Sequence, residues 1–272
     1  GDIGRPKHLL MQPPSQIKNA DYLVLESTYG DRMHGKADPR VKLAETINRT
    51  ISRGGKVIIP VFAVGRAQEI LYYIHLLKTE RKIPDVPVYL NSPMAIDATQ
   101  IFERHSGEHR LSRAECEAMC HTAHMVNTVQ QSKALNENPH PMIILAASGM
   151  ASGGRVVHHL KAFTPNPHNT ILFVGFQAAG TRGAAMVEGA SSVKIHGEYV
   201  PINAEVASIK NMSAHADYVE ILDWLRNFES APKCTFITHG EPVAADAMRH
   251  HIEEKLDWHT CVPDYLETVE LS

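Results

Sequence analysis

The chain has 272 residues and a formal charge of −3, with 43% hydrophobic and 21% charged residues. That is enough for one large α/β domain or two modest ones, with a core that needs no disulfides. The longest apolar runs, such as Met142 to Ala147, fall far short of the roughly 20 residues of a membrane span, so no membrane contact is expected. No charged-then-apolar signal segment opens the sequence. The balance of charge does not advertise a nucleic-acid binder, so any RNA contact must come from a local basic patch or from metal ions. The four cysteines, Cys116, Cys120, Cys234 and Cys261, form no spaced framework and fit a reducing cytoplasm. The 17 histidines are the compositional oddity, a few of them to be weighed as ligands or acid–base groups.

In chain order, Asp21 to Glu26 reads as a buried strand. A helix follows from about Pro39 to Arg53, with Leu43, Ala44, Ile47 and Ile51 at helical spacing and Gly54-Gly55 as its stop. Lys56 to Val61 is a strand, Arg66 to Leu77 a helix, Val86 to Leu90 a strand, and about Ile96 to Leu135 is mostly helical. Met142 to Ala147 is a strand, followed by a Gly-rich turn, a helix from about Gly154 to Phe163, and a strand from Thr170 to Gly175. This alternation implies a mostly parallel sheet. Glycines gather just after strand ends (Gly65, Gly149, Gly153-Gly154, Gly175, Gly180), where an open α/β sheet places its ligand crevice. From Val193 to Ile209 short strands alternate around a hairpin signal at Gly197-Glu198. Asp217 to Phe228 is a helix, Lys233 to Thr238 a strand, Pro242 to Leu256 a helix, and Tyr265 to Leu271 a final strand. The pattern predicts two domains, one interrupting the other.

Polar constellations stand next to these elements. They are Gly1-Asp2-Ile3-Gly4-Arg5, Glu26-Ser27-Thr28-Tyr29-Gly30, Met212-Ser213-Ala214-His215-Ala216-Asp217-Tyr218, and Thr238-His239-Gly240-Glu241. A His before Gly at a strand end sets an imidazole at the sheet edge with little steric cover, and an Asp before Ile-Gly does the same with a carboxylate. Histidine and carboxylate ligands around a hydrolytic zinc are the chemistry that suits such a cluster. Each alone is weak: a strand-end His is more often structural, and a lone Asp is usually a turn former. Their joint occurrence in a fixed order carries the weight.

In that order the sequence resembles the β-CASP family of metallo-β-lactamase-fold RNA hydrolases, which includes the mRNA 3′-end cleavage endonuclease, RNase J and short bacterial relatives. The resemblance covers the whole chain. The Asp2 segment matches the family's metal-bridging Asp, Glu26 its motif A acid, His215 its motif B histidine, and His239 its motif C ligand. Ile59 to Glu69, Ser148-Gly149-Met150 with Gly153-Gly154-Arg155, and Gly175 to Thr181 are similar to the inserted domain. The RNA-acting branches carry His at the motif C position, so His239 points to RNA.

The resemblance implies an α/β fold: the C-terminal part of a metallo-β-lactamase fold of αββα type, interrupted by a β-CASP α/β domain with a mainly parallel sheet. The expected division is residues 1–30 and 208–272 for the metallo-β-lactamase part and 31–207 for the β-CASP domain. It implies a metal-dependent phosphodiesterase with two Zn²⁺ in the complete enzyme. Asp2 and His239 are the metal ligands, Asp2, Glu26 and His215 the catalytic groups. His215 would donate a proton to the leaving oxygen, oriented by Glu26. Tyr29, Arg66, Ser148 and Gly149 are the substrate-binding candidates: Arg66 opens a helix after a strand, and the backbone N–H groups around Ser148-Gly149 precede another. Arg66 pairing with Glu69, and the Gly-rich turn being only a turn, are the bland alternatives.

The departure from the family is as informative. The family's upstream His-x-His-x-Asp-His motif does not occur here, and the chain supplies at most two zinc ligands. The chain is therefore expected to be a fragment, inactive by itself, with incomplete or no zinc. RNA is the expected partner, no membrane is, a homodimer is allowed, and the location is cytoplasmic. Cys116, Cys120 and His124 sit four apart on a predicted helix and read as a packing face rather than a zinc site. His158-His159 and His250-His251 read as helix-surface pairs. A non-catalytic scaffold of an RNA-processing assembly is the rival class, against which the retention of Asp2, Glu26, His215 and His239 argues. A hydrolase of small thioesters or lactams leaves the β-CASP segments unexplained.

Overall fold

A computed structural model describes residues 1–271, which form two compact units. One comprises the first 35 residues together with the chain from Ala214 onward, and the other runs from Lys36 to Ser213. These boundaries fall about five residues later than the sequence-based division at 30/31 and 207/208 and cut through the third constellation, leaving Met212 and Ser213 on one side and His215 on the other.

Strand β1 (Tyr22–Glu26) belongs to the first unit. It is buried only toward its C-terminal end, with Val24 exposed, so the expectation of a buried strand holds for Leu25 and Glu26 alone. The second unit then opens with α1 (Pro39–Ser52), started by the Asp38 side chain accepting from the Arg40 amide and by Pro39 in the first turn, where its missing N–H costs nothing. There follow β2 (Val57–Pro60), α2 (Arg66–Thr79), β3 (Val88–Leu90), α3 (Pro93–Arg104), α4 (Arg113–Cys120), β4 (His124–Met125), α5 (Val129–Glu137), β5 (Ile143–Ala146), α6 (Arg155–Phe163), β6 (Thr170–Val174), α7 (Arg182–Val187), β7 (Ser192–Ile195), β8 (Glu198–Pro201) and β9 (Glu205–Ile209). Six of the strands make one parallel sheet in the order β4-β3-β5-β2-β6-β9, while β7 and β8 pair as an antiparallel hairpin. The β2, β5 and β6 strands are buried throughout, as apolar runs covered on both faces must be.

Two expectations change here. The long helical stretch after residue 96 is three helices and a short strand, because Ser112 and Thr128 each start a new helix with a full capping box. His124 consequently lies on β4 and off the helix that carries Cys116 and Cys120. His159 is fully buried rather than a surface residue.

The first unit resumes with α8 (Tyr218–Leu225), β10 (Cys234–Thr238), α9 (Pro242–Leu256) and β11 (Thr260–Cys261). Its sheet is parallel, in the order β1-β10-β11, and Leu25, Ile221, Leu225, Ile237, Met248 and Ile252 form its core. Leu225 is the last residue of α8, so that helix ends earlier than its apolar pattern predicts. The final strand is Thr260–Cys261, and residues 265–271 are irregular with Tyr265 and Leu266 exposed. The described C-terminal segment pairs with no sheet, so its apolar residues lack the support that a strand assignment from composition takes for granted.

Candidate active site

The site is assembled from strand ends. β1 and β10 run parallel with Glu26 in register with Thr238, so both chains leave the sheet at the same edge. Just beyond, the Ser27 hydroxyl donates to the Thr238 carbonyl at 2.9 Å, which locks the two exits together. Gly240 allows this approach: a Cβ there would stand 2.7 Å from the Ser27 carbonyl oxygen. His239 adopts φ +50, a left-handed conformation that non-glycine residues seldom take and that persists only where the surroundings over-determine it. The Thr28 hydroxyl donates to the His239 carbonyl at 3.1 Å and lies 3.2 Å from its Nδ1.

The N-terminal residues complete the arrangement through their backbone. The Ile3 amide donates to Glu26 Oε1 at 2.7 Å, the Ile3 carbonyl accepts from the Ala216 amide at 2.9 Å, and Gly4 and His215 form an antiparallel bridge. His215 Nδ1 thereby meets Glu26 Oε2 at 2.7 Å, and Asp2 Oδ1 lies 3.4 Å from His239 Nδ1. Donor atoms of Asp2, Glu26, His215 and His239 all fall within 4.8 Å of one another.

Burial separates these four groups by role. Glu26 is wholly buried, with one oxygen on a backbone N–H and the other against an imidazole. Such a carboxylate orients a histidine and supports its positive charge. Asp2 and His239 are more than half exposed, one offering oxygen and the other nitrogen, a donor pair that suits zinc and leaves room for further ligands.

Of the substrate-binding candidates, only Tyr29 lies in this unit. It is buried, its ring 4.4 Å from that of His34, and its carbonyl accepts from the Tyr218 amide at 3.2 Å. Arg66, Ser148 and Gly149 belong to the second unit. The Arg66 guanidinium is buried in an ion pair with Glu69, also buried, which is the bland alternative drawn from the sequence. The Ser148 amide donates to the Gly153 carbonyl at 3.4 Å and its hydroxyl accepts from the Ser152 amide at 3.2 Å, while Gly149 packs on the Phe62 ring. Burial pushes the Cys120 thiol up to about 12, so it is an inert packing group.

A second gathering, His34, Asp217 and Glu220, was not singled out from the sequence. Its carboxylates are committed: Asp217 caps α8 through the Val219 and Glu220 amides and accepts from the His34 amide at 2.9 Å, and Glu220 pairs with Arg5 at 3.3 Å. The His34 Nε2 lies 2.9 Å from the His215 carbonyl. Neither His34 nor Thr28 was assigned a role in advance. Thr28 lay inside a quoted motif, whereas His34 shows no spacing that would mark it.

The carboxylate and imidazole groups of Asp2, Glu26, His215 and His239 gather beside the C-terminal ends of the parallel strands β1 and β10, a set of residue types that suits a metal ion. Residues 67–186 match the Beta-Casp domain, and residues 199–263 match the Zn-dependent metallo-hydrolase RNA specificity domain. The chain is 38% identical over 255 residues to Ribonuclease TTHA0252 of Thermus thermophilus, covering 89% of this chain and 56% of that protein. It is 32% identical to an RNase J-like protein of Methanocaldococcus jannaschii (97% of this chain, 62% of that one) and 31% identical to Transcription termination factor FttA of Methanosarcina mazei (100% and 45%). The chain belongs to the β-CASP family of RNA-processing metallo-hydrolases. It spans about half the length of the curated relatives it matches. Among the described residues, no helix is long and apolar enough to cross a membrane.

Proposed function

We propose that the whole protein is a zinc-dependent ribonuclease that hydrolyses RNA phosphodiester bonds in the cytoplasm, with two zinc ions in the complete site. The proposal takes the first unit as part of its metallo-β-lactamase domain and the second as its β-CASP domain. Three relatives carry names that refer to ribonuclease action or transcription termination, and the second matching domain is named for RNA specificity. The observation that carries the reading is the buried Glu26 carboxylate 2.7 Å from His215, set beside the exposed Asp2 and His239. A wholly buried carboxylate held against a partly exposed imidazole favours this reading over a non-catalytic scaffold.

Asp2 and His239 would hold metal, and zinc when bound would supply Lewis acidity against charge on the phosphate oxygens. Glu26, fixed by the Ile3 amide, sets its second oxygen 2.7 Å from His215 Nδ1 as an ion pair and so orients the ring. His215 delivers a proton to the leaving oxygen of the cleaved strand. Tyr29 is a buried support packed on His34, and Ser148 and Gly149 stay as candidates for contact with RNA phosphates, whereas the Arg66 guanidinium is taken up by Glu69.

The test is RNA cleavage by the zinc-loaded full-length protein, with zinc measured in each variant. His215→Ala should lower the rate by roughly 10²–10⁴-fold, as loss of a general acid does, and keep its zinc. His239→Ala should lose zinc and activity together. Glu26→Gln withdraws the charge that supports a protonated imidazole, so activity should fall and the pH–rate profile should change. Parallel loss of zinc and activity in His215→Ala, or an unaltered profile in Glu26→Gln, would overturn these roles.

A further inference from the structure

His215 sits in irregular backbone between the boundary of the unit and the start of α8. No regular hydrogen-bonding ladder fixes its peptide groups, yet its ring must reach a carboxylate that cannot move. Glu26 is wholly buried at the end of a strand, one oxygen already tied to the Ile3 amide. The alignment of the pair therefore depends on where the main chain of residue 215 is held.

It is held on two sides. On one, Ala216 donates to the Ile3 carbonyl and Gly4 bridges to His215. On the other, the His34 ring stands 2.9 Å from the His215 carbonyl through Nε2. A carbonyl only accepts, so Nε2 of His34 carries the proton and donates. Burial lowers the His34 pKa, which favours this single-proton form. His34 is itself fixed: its amide donates to Asp217 Oδ2, Asp217 caps α8, and the Tyr29 ring packs on it at 4.4 Å. His34 is buried, 9% exposed as a residue, so water cannot readily replace its donor.

We infer that His34 is a positioning residue for His215: its Nε2–H pins the His215 carbonyl so that the His215 ring meets Glu26. This inference rests on the proposed role of His215 as proton donor. It gives the His34-Asp217-Glu220 gathering a purpose other than metal binding. Asp217 anchors His34, both carboxylates fix the start of α8, and His34 passes that rigidity to the main chain of the proton donor. Misplacement of a reacting group by about 1 Å can cost around 10²-fold in rate.

Three variants of the zinc-loaded full-length protein test it. His34→Ala removes the donor. His34→Phe keeps ring volume without the donor. His34→Gln places an amide N–H near the position of Nε2. Single-turnover RNA cleavage should fall roughly 10–100-fold in His34→Ala and His34→Phe, with KM and zinc content unchanged, and recover to within a few-fold of wild type in His34→Gln. If His34→Ala fails to fold, the Phe and Gln pair still separates donor from volume. Equal rates for His34→Phe and wild type, or for His34→Gln and His34→Phe, would overturn the inference. A protein that cleaves RNA and loses activity in His215→Ala but not in His34→Phe would sink the role of His34 and leave the ribonuclease reading standing. If the wild type cleaves no RNA, crystal structures decide instead: His215 should withdraw from Glu26 in His34→Phe and return in His34→Gln. A pair still at 2.7 Å in His34→Phe would refute the positioning role.

Discussion

Acid should destabilise the second unit through one residue, His159. Its ring is fully buried on α6 between two asparagines, with Nδ1 2.6 Å from Asn136 Oδ1 and Nε2 2.6 Å from Asn91 Nδ2. Asn91 cannot turn its amide around, because its oxygen accepts from Arg155 at 2.8 Å and its nitrogen also donates to Ser132 at 2.8 Å. So Nδ1 carries the proton and Nε2 accepts, and a second proton would face a donor inside the core. Burial, then the charges of His158 and Arg155, lower the His159 pKa to about 4. The unfolded chain, with an ordinary histidine near 6.5, binds more protons between these two values. Stability is therefore full above about pH 6.5 and declines as pH falls toward 4. Linkage gives a loss of about 2 kcal/mol by pH 5 and about 3 kcal/mol below pH 4. Urea unfolding at pH 7.5 and pH 5, followed in wild type and His159→Leu, measures it. The variant loses buried hydrogen bonds at every pH, so the readout is the difference between the two pH values. That difference should be smaller in His159→Leu by about 2 kcal/mol. Equal pH dependence in the two proteins would refute the reasoning.

Three further outcomes are expected. Arg66→Met strips the buried Glu69 of its cation and should cost about 3–5 kcal/mol in urea unfolding; a variant of wild-type stability would return Arg66 to a purely substrate-facing role. Gly240→Ala drives a methyl into the Ser27 carbonyl and should cost about 1–3 kcal/mol by thermal unfolding, with weaker zinc binding in the full-length protein because His239 must shift; an unchanged Tm would show that the β1 and β10 exits can part freely. The 272-residue chain by itself should hold well under two zinc ions after dialysis, since Asp2 and His239 leave a site open; tight binding of two, by metal analysis, would mean that ligands beyond this pair were overlooked.

Much of the fold was legible because its signals are local. The β2, β5 and β6 strands announce themselves as short apolar runs with helical periodicity between them, and parallel pairing follows from that alternation. What the pattern hid were breaks decided by side-chain caps, as at Ser112 and Thr128, and a C-terminal segment whose valine and leucine content resembles a strand but finds no sheet to join. Within the site, Asp2, Glu26, His215 and His239 could be picked out together because their short motifs, each weak alone, occur jointly in a fixed order. Arg66 shows the limit: a guanidinium at the start of a helix reads the same whether it faces a phosphate or a buried Glu69. His34 was invisible because its contacts, the His215 carbonyl and the Asp217 side chain, lie far away in the sequence.

The geometry also explains why the N-terminal constellation combines an acid with the short Ile3-Gly4 step. Asp2 contributes its carboxylate, whereas Ile3 contributes its peptide as well as a side chain packed on the core: its N–H fixes Glu26 and its carbonyl holds Ala216. One residue of main chain therefore joins the Asp2 segment to the buried Glu26 and to the backbone beside His215. Side-chain substitutions at Ile3 leave both hydrogen bonds in place and remove only its packing on the core, so an alanine scan would report the packing and not the backbone link. Proline at position 3 removes the N–H and leaves Glu26 Oε1 without its donor in a wholly buried site, where an unsatisfied charged group costs well over the 1–3 kcal/mol of a neutral one. The Asp2, Glu26 and His215 segments, far apart in sequence, thus depend on one backbone link, which proline would break and other side chains would spare.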